Sequence, residues 1–406
     1  MVSAFSWKSP KVLATSATVS IGTRYGFTRE NRPCLCWNAW HILDVAPYLQ
    51  FDANIHNSFL QKRLMTSQSI LPALDATRPL FLGIDVGGTG MKVGVVDDNG
   101  ETLGFASIPT EEPRGPVDAM QRIASASAEL LTSIGLSQKD IMRVGLGTPG
   151  SQDIPKGMLI EPPNHPHWHH FPIVKCLEDA IGLPVSFAND ANAAAFGEFW
   201  VGTGAVYSSM VLLTLGTGVG GGIIIDNQLV VGHNSFGGEC GHMIIDPSPN
   251  ARLCVWGGGR GHLEAYASAS AVVQRAKEEL AAGAISSLAS EAATFTTKKI
   301  FEAAVKGDIF SLKIIDETAD YLALGIATIV HTLDPGLIVL GGAMNFGGTQ
   351  SPIGMRFLNR IEGAFRKRSF EYVANGTKIE FATLGGDAGY LGAAGIARME
   401  FKKLAT

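Results

Sequence analysis

Two stretches 129 positions apart share one design, and that repetition constrains the fold more than any other feature of the chain. Residues 82–97 read Leu-Gly-Ile-Asp-Val-Gly-Gly-Thr-Gly-Met-Lys-Val-Gly-Val-Val-Asp, and residues 211–226 read Val-Leu-Leu-Thr-Leu-Gly-Thr-Gly-Val-Gly-Gly-Gly-Ile-Ile-Ile-Asp. Each is an apolar run, a glycine-rich turn and a second apolar run closed by Asp, the pattern of a strand–turn–strand hairpin. Aligned, Asp85 meets Thr214 and Gly87 meets Gly216. An isolated hairpin cannot bury its own apolar faces, so two copies predict duplicated domains facing one another across a cleft.

The surrounding pattern is layered α/β. Strands are predicted over 80–86, 91–96, 102–108, 144–147, 185–188, 210–215, 223–225, 337–340 and 379–382. Helices are predicted over 117–134, 171–181, 191–199, 263–280, 297–304, 309–331, 352–365 and 388–401. This divides the chain into an extension (1–78), a first lobe (79–200) and a second lobe (201–406), the last helix returning to the first lobe. The extension holds Trp7, Cys34, Cys36, Trp37 and Trp40 with no sustained period, and is expected to be poorly ordered. Met65 lies just before the first strand, so an over-extended reading frame over 1–64 is the competing account.

The glycines carry the first functional signal. Gly216, Gly218 and Gly221 satisfy G-x-G-x-x-G, but that dinucleotide motif must open a helix, and here a strand-like run follows. No Lys-Ser or Lys-Thr follows the glycines, which excludes a Walker A loop. What remains is a hairpin turn whose N–H groups can point at an anion, unobstructed by side chains. Five glycines fall within 216–222, more than an ordinary hairpin requires. Gly216, Thr217, Gly218 and Gly220 are therefore read as one phosphate loop, and Gly87, Gly88 and Thr89 as its counterpart. Asp85 suits Mg²⁺, a hard cation that keeps several waters, and Lys92 brings a cation to the same turn. The bland alternative is a turn-capping acid and a surface charge.

Bulk composition narrows the function classes. The 406 residues include 32 Lys or Arg against 37 Asp or Glu, net −5, without the basic patch expected of a nucleic-acid binder. No apolar run approaches the roughly 20 residues of a membrane span. Five irregularly spaced Cys are too few for a disulfide framework and suit a reducing, cytoplasmic compartment.

The first glycine loop, Asn189-Asp-Ala-Asn-Ala-Ala-Ala-Phe-Gly-Glu198, the loop 215–222, Glu239-Cys-Gly-His242 and Leu263-Glu-Ala-Tyr-Ala-Ser268 together resemble the ROK family, over about residues 80–400. The resemblance implies the actin-like ATPase (ribonuclease H-like) fold, two duplicated lobes around a central cleft. It further implies a homodimeric, ATP- and Mg²⁺-dependent glucokinase that phosphorylates the 6-hydroxyl of glucose. Asp190, taken alone, is equally a helix cap or a catalytic acid; by the resemblance it is the general base. Its place at a helix N-terminus is expected to favour the carboxylate form. Asn164, Asn189, Glu239, His242 and Glu264 match the positions that hold the sugar hydroxyls, and Gly342 lies in a loop that meets the adenosine. Gly147-Thr-Pro-Gly150 and Leu384-Gly-Gly-Asp-Ala-Gly389 read either as cleft loops or as plain turns.

Many ROK proteins carry a structural zinc held by a His and three Cys in a run resembling Cys-x-Cys-Gly-x-x-Gly-Cys. Here the run is Cys254-Val-Trp-Gly-Gly-Gly-Arg-Gly-His262, with Trp256 and His262 where two Cys would stand. Zinc on His242, Cys254 and His262, with Cys240 as a fourth ligand, competes with a loop held by packing of Trp256. The histidines 165, 167, 169 and 170 around Trp168 read as a polar loop beside the sugar cleft, not as a metal site. Rival readings are a ROK kinase for N-acetylmannosamine, N-acetylglucosamine, fructose or allose, a polyphosphate-using glucokinase, and a sugar-responsive repressor. The repressor would need an N-terminal helix-turn-helix, which the sequence does not display.

Overall fold

Both glycine-rich repeats fold as antiparallel hairpins, and each starts a five-stranded sheet. The structure is a computed structural model that describes residues 70–162, 165–255, 257–289 and 295–405. Asn164, Trp256 and residues 1–69 lie outside the described residues.

The first lobe contains β1 (Leu80–Val86), β2 (Gly90–Val96), β3 (Thr102–Pro109), β4 (Ile141–Thr148), a small ribbon of β5 (Gln152–Asp153) and β6 (Met158–Leu159), and β7 (Val185–Asn189). Its sheet runs β3-β2-β1-β4-β7, antiparallel across the first three strands and parallel from β1 to β7. The second lobe contains β8 (Met210–Leu215), β9 (Val219–Ile225), β10 (Gln228–Leu229), β11 (Leu337–Gly341) and β12 (Lys378–Phe381), in the order β10-β9-β8-β11-β12. The two plans coincide strand for strand: a meander, then two parallel strands. Parallel strands are covered on both faces, and β11 is accordingly buried at all five positions.

Helices α1 (Pro116–Ser133) and α2 (Ile173–Ile181) cover the outer face of the first sheet, burying Met120, Ile123, Ile173 and Leu177 with its strands. Helix α3 (Asp190–Val201) packs on β8 and β9 of the second sheet. The outer face of that sheet is buried under α4 (Glu264–Ala267), α5 (Ala269–Ala281), α6 (Thr297–Val305), α7 (Ile309–Leu333), α8 (Pro352–Arg366) and α9 (Glu371–Gly376). The last helix, α10 (Ala388–Ala405), lies against β1, β4 and α3, so the two sheets share the α3–α10 pair between them. Only glycine permits that approach: a Cβ on Gly83 would lie 1.9 Å from the Tyr390 carbonyl oxygen, and one on Gly145 1.8 Å from that of Ala393.

Two sequence expectations change here. The helix expected over 263–280 is broken at Ser268, whose side chain accepts from Ala271 N–H at 3.1 Å and so caps α5; Ser favours the cap over the helix interior for this reason. Residues 70–78, assigned to the extension, are tied to the first lobe. Leu71 N–H donates to the Thr102 carbonyl at 2.9 Å, and Thr77 N–H to the Asp97 carboxylate at 3.0 Å. Among the described residues no helix is long and apolar enough to cross a membrane.

Candidate active site

The loops leaving β1, β4 and β7 emerge on one edge of the first sheet, because these strands are parallel. In open α/β sheets, that C-terminal edge is where ligands bind. It carries Asp85, the turn Gly147–Gly150, Asn189 and Asp190. The corresponding edge of the second sheet carries the Gly216 turn after β8 and Gly342 after β11.

Each glycine turn is closed by a backbone hydrogen bond, spanning three residues in the first and two in the second. Gly87 N–H donates to the Gly90 carbonyl at 2.9 Å, and Gly216 N–H to that of Gly218 at 3.0 Å. A Cβ on Gly216 would meet nothing within 4 Å, so the turn is open. Gly342 has φ +88° and lies so close to Leu215 that a Cβ would be 2.3 Å from its carbonyl oxygen, which fixes the loop after β11 against the second turn. The N-terminus of α5 meets the same turn: Ala269 N–H donates to the Gly216 carbonyl, and Ser270 Oγ to that of Thr217, both at 2.9 Å. Gly220, assigned to the phosphate loop by sequence, instead lies within β9 with Gly221 and Gly222. Cβ atoms there would strike Thr214 Oγ1 (2.5 Å), the Gly238 carbonyl (2.5 Å) and Ala195 Cβ (2.4 Å). The surplus of glycine therefore serves close packing of β9 on α3 and on residues 238–240, and the turn itself uses Gly216 and Gly218.

Four acids from distant parts of the chain form a series in which each feels the charge of the next. Burial pushes the Asp85 carboxyl up to about 6, the Asp190 charge adds to the rise, and Lys92 opposes it. Lys92 Nζ also donates to the Gly386 carbonyl. Gly389 makes room for Asp85, since a Cβ there would lie 2.5 Å from the carboxylate carbon. The Asp190 carboxyl is likewise raised: burial outweighs the hydrogen bond from Ala191 N–H (2.8 Å), and the Glu239 charge adds to it. This corrects the expectation that the helix terminus sets its charge; desolvation wins over the dipole and the amide. Burial also raises Glu239, with His242 opposing and Glu264 reinforcing; His242 Nε2 stands 3.9 Å from its carboxylate. Asn189 Oδ1 accepts from Ala191 N–H at 2.9 Å, capping α3, while its Nδ2 reaches the Gly150 carbonyl at 3.4 Å.

Glu264 is 6% exposed and already engaged: one oxygen accepts from Val219 N–H at 2.8 Å, and the other from Cys254 Sγ at 3.2 Å. It fastens the second glycine hairpin to the Cys254 loop. Ligand atoms of His242, Cys254 and His262 all lie within 4.8 Å of one another, and the two Nδ1 atoms face each other at 3.0 Å. Two imidazoles and a thiol in this space suit zinc, which takes N and S donors in tetrahedral sites and would leave one position for a further ligand. Cys240 is not part of this group; it is buried against Gly221, with its thiol pushed up to about 12 by burial.

The histidine-rich loop is less polar than its sequence. His167 Nδ1 pairs with Glu112 at 2.8 Å, but His165 and Trp168 are each 1% exposed, ring centroids 4.7 Å apart. An indole with an imidazole tilted at 48° against it forms part of the core. Sequence reasoning also left without a role Thr110, whose Oγ1 donates to the Gly87 carbonyl at 2.7 Å, and Gly389, which only its contact with Asp85 explains.

A sequence profile described as the ROK family matches residues 81–400. A glucokinase from Halalkalibacterium halodurans is 36% identical over 77% of this chain and 93% of its own length. The ROK hexokinase from Thermus thermophilus superposes with a TM-score of 0.69 at 30% identity, over 80% of this chain and 99% of that one. A ROK family glucokinase from Streptomyces griseus, solved in complex with glucose and AMPPNP, gives a TM-score of 0.62 at 33% identity, over 79% and 99%. Relatives also include a xylose repressor from Caldicellulosiruptor bescii, 31% identical over 63% of this chain and 62% of the repressor. The fold is thus the actin-like ATPase fold.

Proposed function

The chain belongs to the ROK family, and from that premise we propose that it is an ATP-dependent hexose kinase acting on the 6-hydroxyl of glucose. The observation that carries this reading is the Asp190 carboxyl. It sits at the C-terminal edge of the first sheet, where its charge raises Asp85 and the charge of Glu239, with burial, raises its own proton affinity. A general base works best when its pKa approaches the working pH, and the raised carboxyl moves in that direction.

In this reading Asp190 accepts the proton of the attacking hydroxyl as the phosphoryl group leaves the nucleotide. Asn189, Glu239 and His242 orient the sugar ring by accepting from and donating to adjacent hydroxyls. Glu264, bound to Val219 N–H, acts mainly by holding the second turn in register. The Gly87–Thr89 and Gly216–Gly218 turns offer backbone N–H groups to the phosphates, where a side chain would obstruct approach. Asp85 and its surrounding waters would hold Mg²⁺, which neutralises charge on the phosphates when bound. His242, Cys254 and His262 would hold zinc, which would brace the loop that positions His242 and Glu264.

The test is coupled detection of ADP release with Mg²⁺-ATP over glucose, N-acetylmannosamine, N-acetylglucosamine and fructose, beside Asp190→Asn. The expected outcome is sugar-dependent turnover with glucose the best substrate. Turnover with polyphosphate but not ATP would change the donor. Sugar binding without turnover on either donor would sink the kinase reading in favour of a sugar sensor.

A further inference from the structure

The chain crosses between the two sheets twice, through the segment 202–209 that joins α3 to β8 and through 382–387 that joins β12 to α10. One carboxylate ties these crossings together. Glu198, in the last turn of α3, is fully buried. Its Oε2 accepts from Thr203 N–H at 2.9 Å, on the first crossing, and from Thr383 Oγ1 at 3.2 Å, on the second. Its Oε1 accepts from Leu384 N–H at 2.7 Å. Glycine at 202 is what admits the carboxylate, since a Cβ there would lie 2.1 Å from Oε2. All three partners are uncharged donors, and a carboxylate buried against neutral groups is costly. Cohesion alone does not call for it, because Thr203 Oγ1 already donates to the Phe381 carbonyl across the same gap at 3.1 Å. What Glu198 adds is the placement of Leu384.

Leu384 opens the turn Gly385–Asp387, which Asp387 N–H closes on the Leu384 carbonyl at 3.0 Å. Within that turn the Gly386 carbonyl accepts from Lys92 Nζ. Lys92 reaches it from β2, beside the first phosphate turn. Just beyond, Gly389 leaves the space that the Asp85 carboxylate fills. The sugar side is anchored separately. Asp190 stands at the other end of α3, about 12 Å away by helical rise. The Asn189 contacts with Ala191 N–H and the Gly150 carbonyl do not involve Glu198.

We propose that Glu198 is a positioning residue for phosphoryl transfer: by fixing Leu384 it holds the Gly386 carbonyl where it orients the Lys92 ammonium toward the nucleotide phosphates. The inference rests on the kinase reading above, and adds to it a residue that touches neither substrate yet acts on the nucleotide and not on the sugar.

The experiment is calorimetric titration of AMPPNP-Mg²⁺ and, separately, of glucose on the full chain as wild type, Glu198→Leu, Glu198→Gln, Lys92→Met and Glu198→Leu with Lys92→Met. Leu fills the space without an acceptor, whereas the amide of Gln can accept from Thr203 or from Leu384 but not from both. Leu should weaken AMPPNP-Mg²⁺ binding roughly tenfold, the low end for losing a hydrogen bond to a charged group. Gln should fall between Leu and wild type, and glucose affinity should stay unchanged in both. On top of Lys92→Met, the Leu substitution should cost nothing further, because residues that act as one unit are not additive. Should the Leu variant not fold, Gln carries the same comparison in both backgrounds. Equal losses for AMPPNP-Mg²⁺ and glucose reduce Glu198 to a packing residue and overturn the proposal. So does an unchanged nucleotide affinity, or a loss as large beside Lys92→Met as in the wild type. A wild type that neither binds AMPPNP-Mg²⁺ nor releases ADP brings down the kinase reading itself, and this inference with it.

Discussion

Replacing Asp85 with Asn should stabilise the ligand-free protein while removing its activity. The Asp85 carboxyl is raised from 3.8 to about 6 by burial and by Asp190, so the folded state holds its proton more tightly than the unfolded chain does. Between those two values the stability of the wild type therefore falls as pH rises, because folding then forces a charge into a poorly solvated place. A shift of about two units at 1.36 kcal/mol each sets a ceiling of ~3 kcal/mol, and partial solvation reduces the expected gain to ~1–2 kcal/mol at pH 7. Asn has nearly the same shape and no charge, so Gly389 still accommodates it. Urea unfolding of both proteins at pH 4, 5, 6 and 7, without nucleotide or Mg²⁺, measures the difference. It should be near zero at pH 4, grow through pH 5 and 6, and level off by pH 7. A variant no more stable than wild type at pH 7, or a difference that does not change with pH, would refute the reasoning. Activity should fall regardless, since the carboxylate is proposed to hold the Mg²⁺ side of the nucleotide. The acid would then trade stability for function.

Four further outcomes follow from the same geometry. Asp190→Asn should lower kcat by roughly 10²–10⁴ with glucose binding retained; a drop in affinity with kcat unchanged would assign it to binding alone. Because Asp190 must be ionised to accept a proton and its carboxyl is raised, kcat/KM should decline on the acid side with a midpoint above the ordinary 3.8. A pH–rate profile with its acid limb at or below that value contradicts the assignment. Gly389→Ala should mimic the loss of Asp85 in activity assays, because the new methyl would lie 2.5 Å from the carboxylate; normal nucleotide KM and kcat would show that Asp85 can move at no cost. Cys254→Ser should remove bound zinc, measured colorimetrically after denaturation, and lower the melting temperature; wild-type protein free of zinc with an identical melt would leave the loop to packing alone.

The duplicated strand–turn–strand pattern was enough to announce two like domains, since hydrophobic period and glycine turns are local properties. Most elements could be read for the same reason, as with β8, whose six residues form an apolar run interrupted only by Thr214. The exception at Ser268 is also local, a cap chosen over a helix interior, but nothing before the fold gave it precedence over the apolar run around it. Asp85, Asn189 and Asp190 were accessible because strand ends and helix starts leave motifs in the chain.

Other features depended on what tertiary packing brings together. The glycines of β9 looked like an anion nest and serve the close approach of α3, a distance no sequence carries. Glu264 is a sugar ligand by resemblance, and only the fold shows that its two oxygens also accept from Val219 N–H and Cys254 Sγ. Asp190 at a helix start was expected to favour the carboxylate, and burial together with the distant Glu239 charge raises its carboxyl instead. His165 looked solvated among polar residues until Trp168 turned inward beneath it. The sequence alone settled what is decided within one turn of helix or one strand. Burial, close backbone approach and the field of distant charges arise only when remote segments meet, and it is these that set the chemistry of the site.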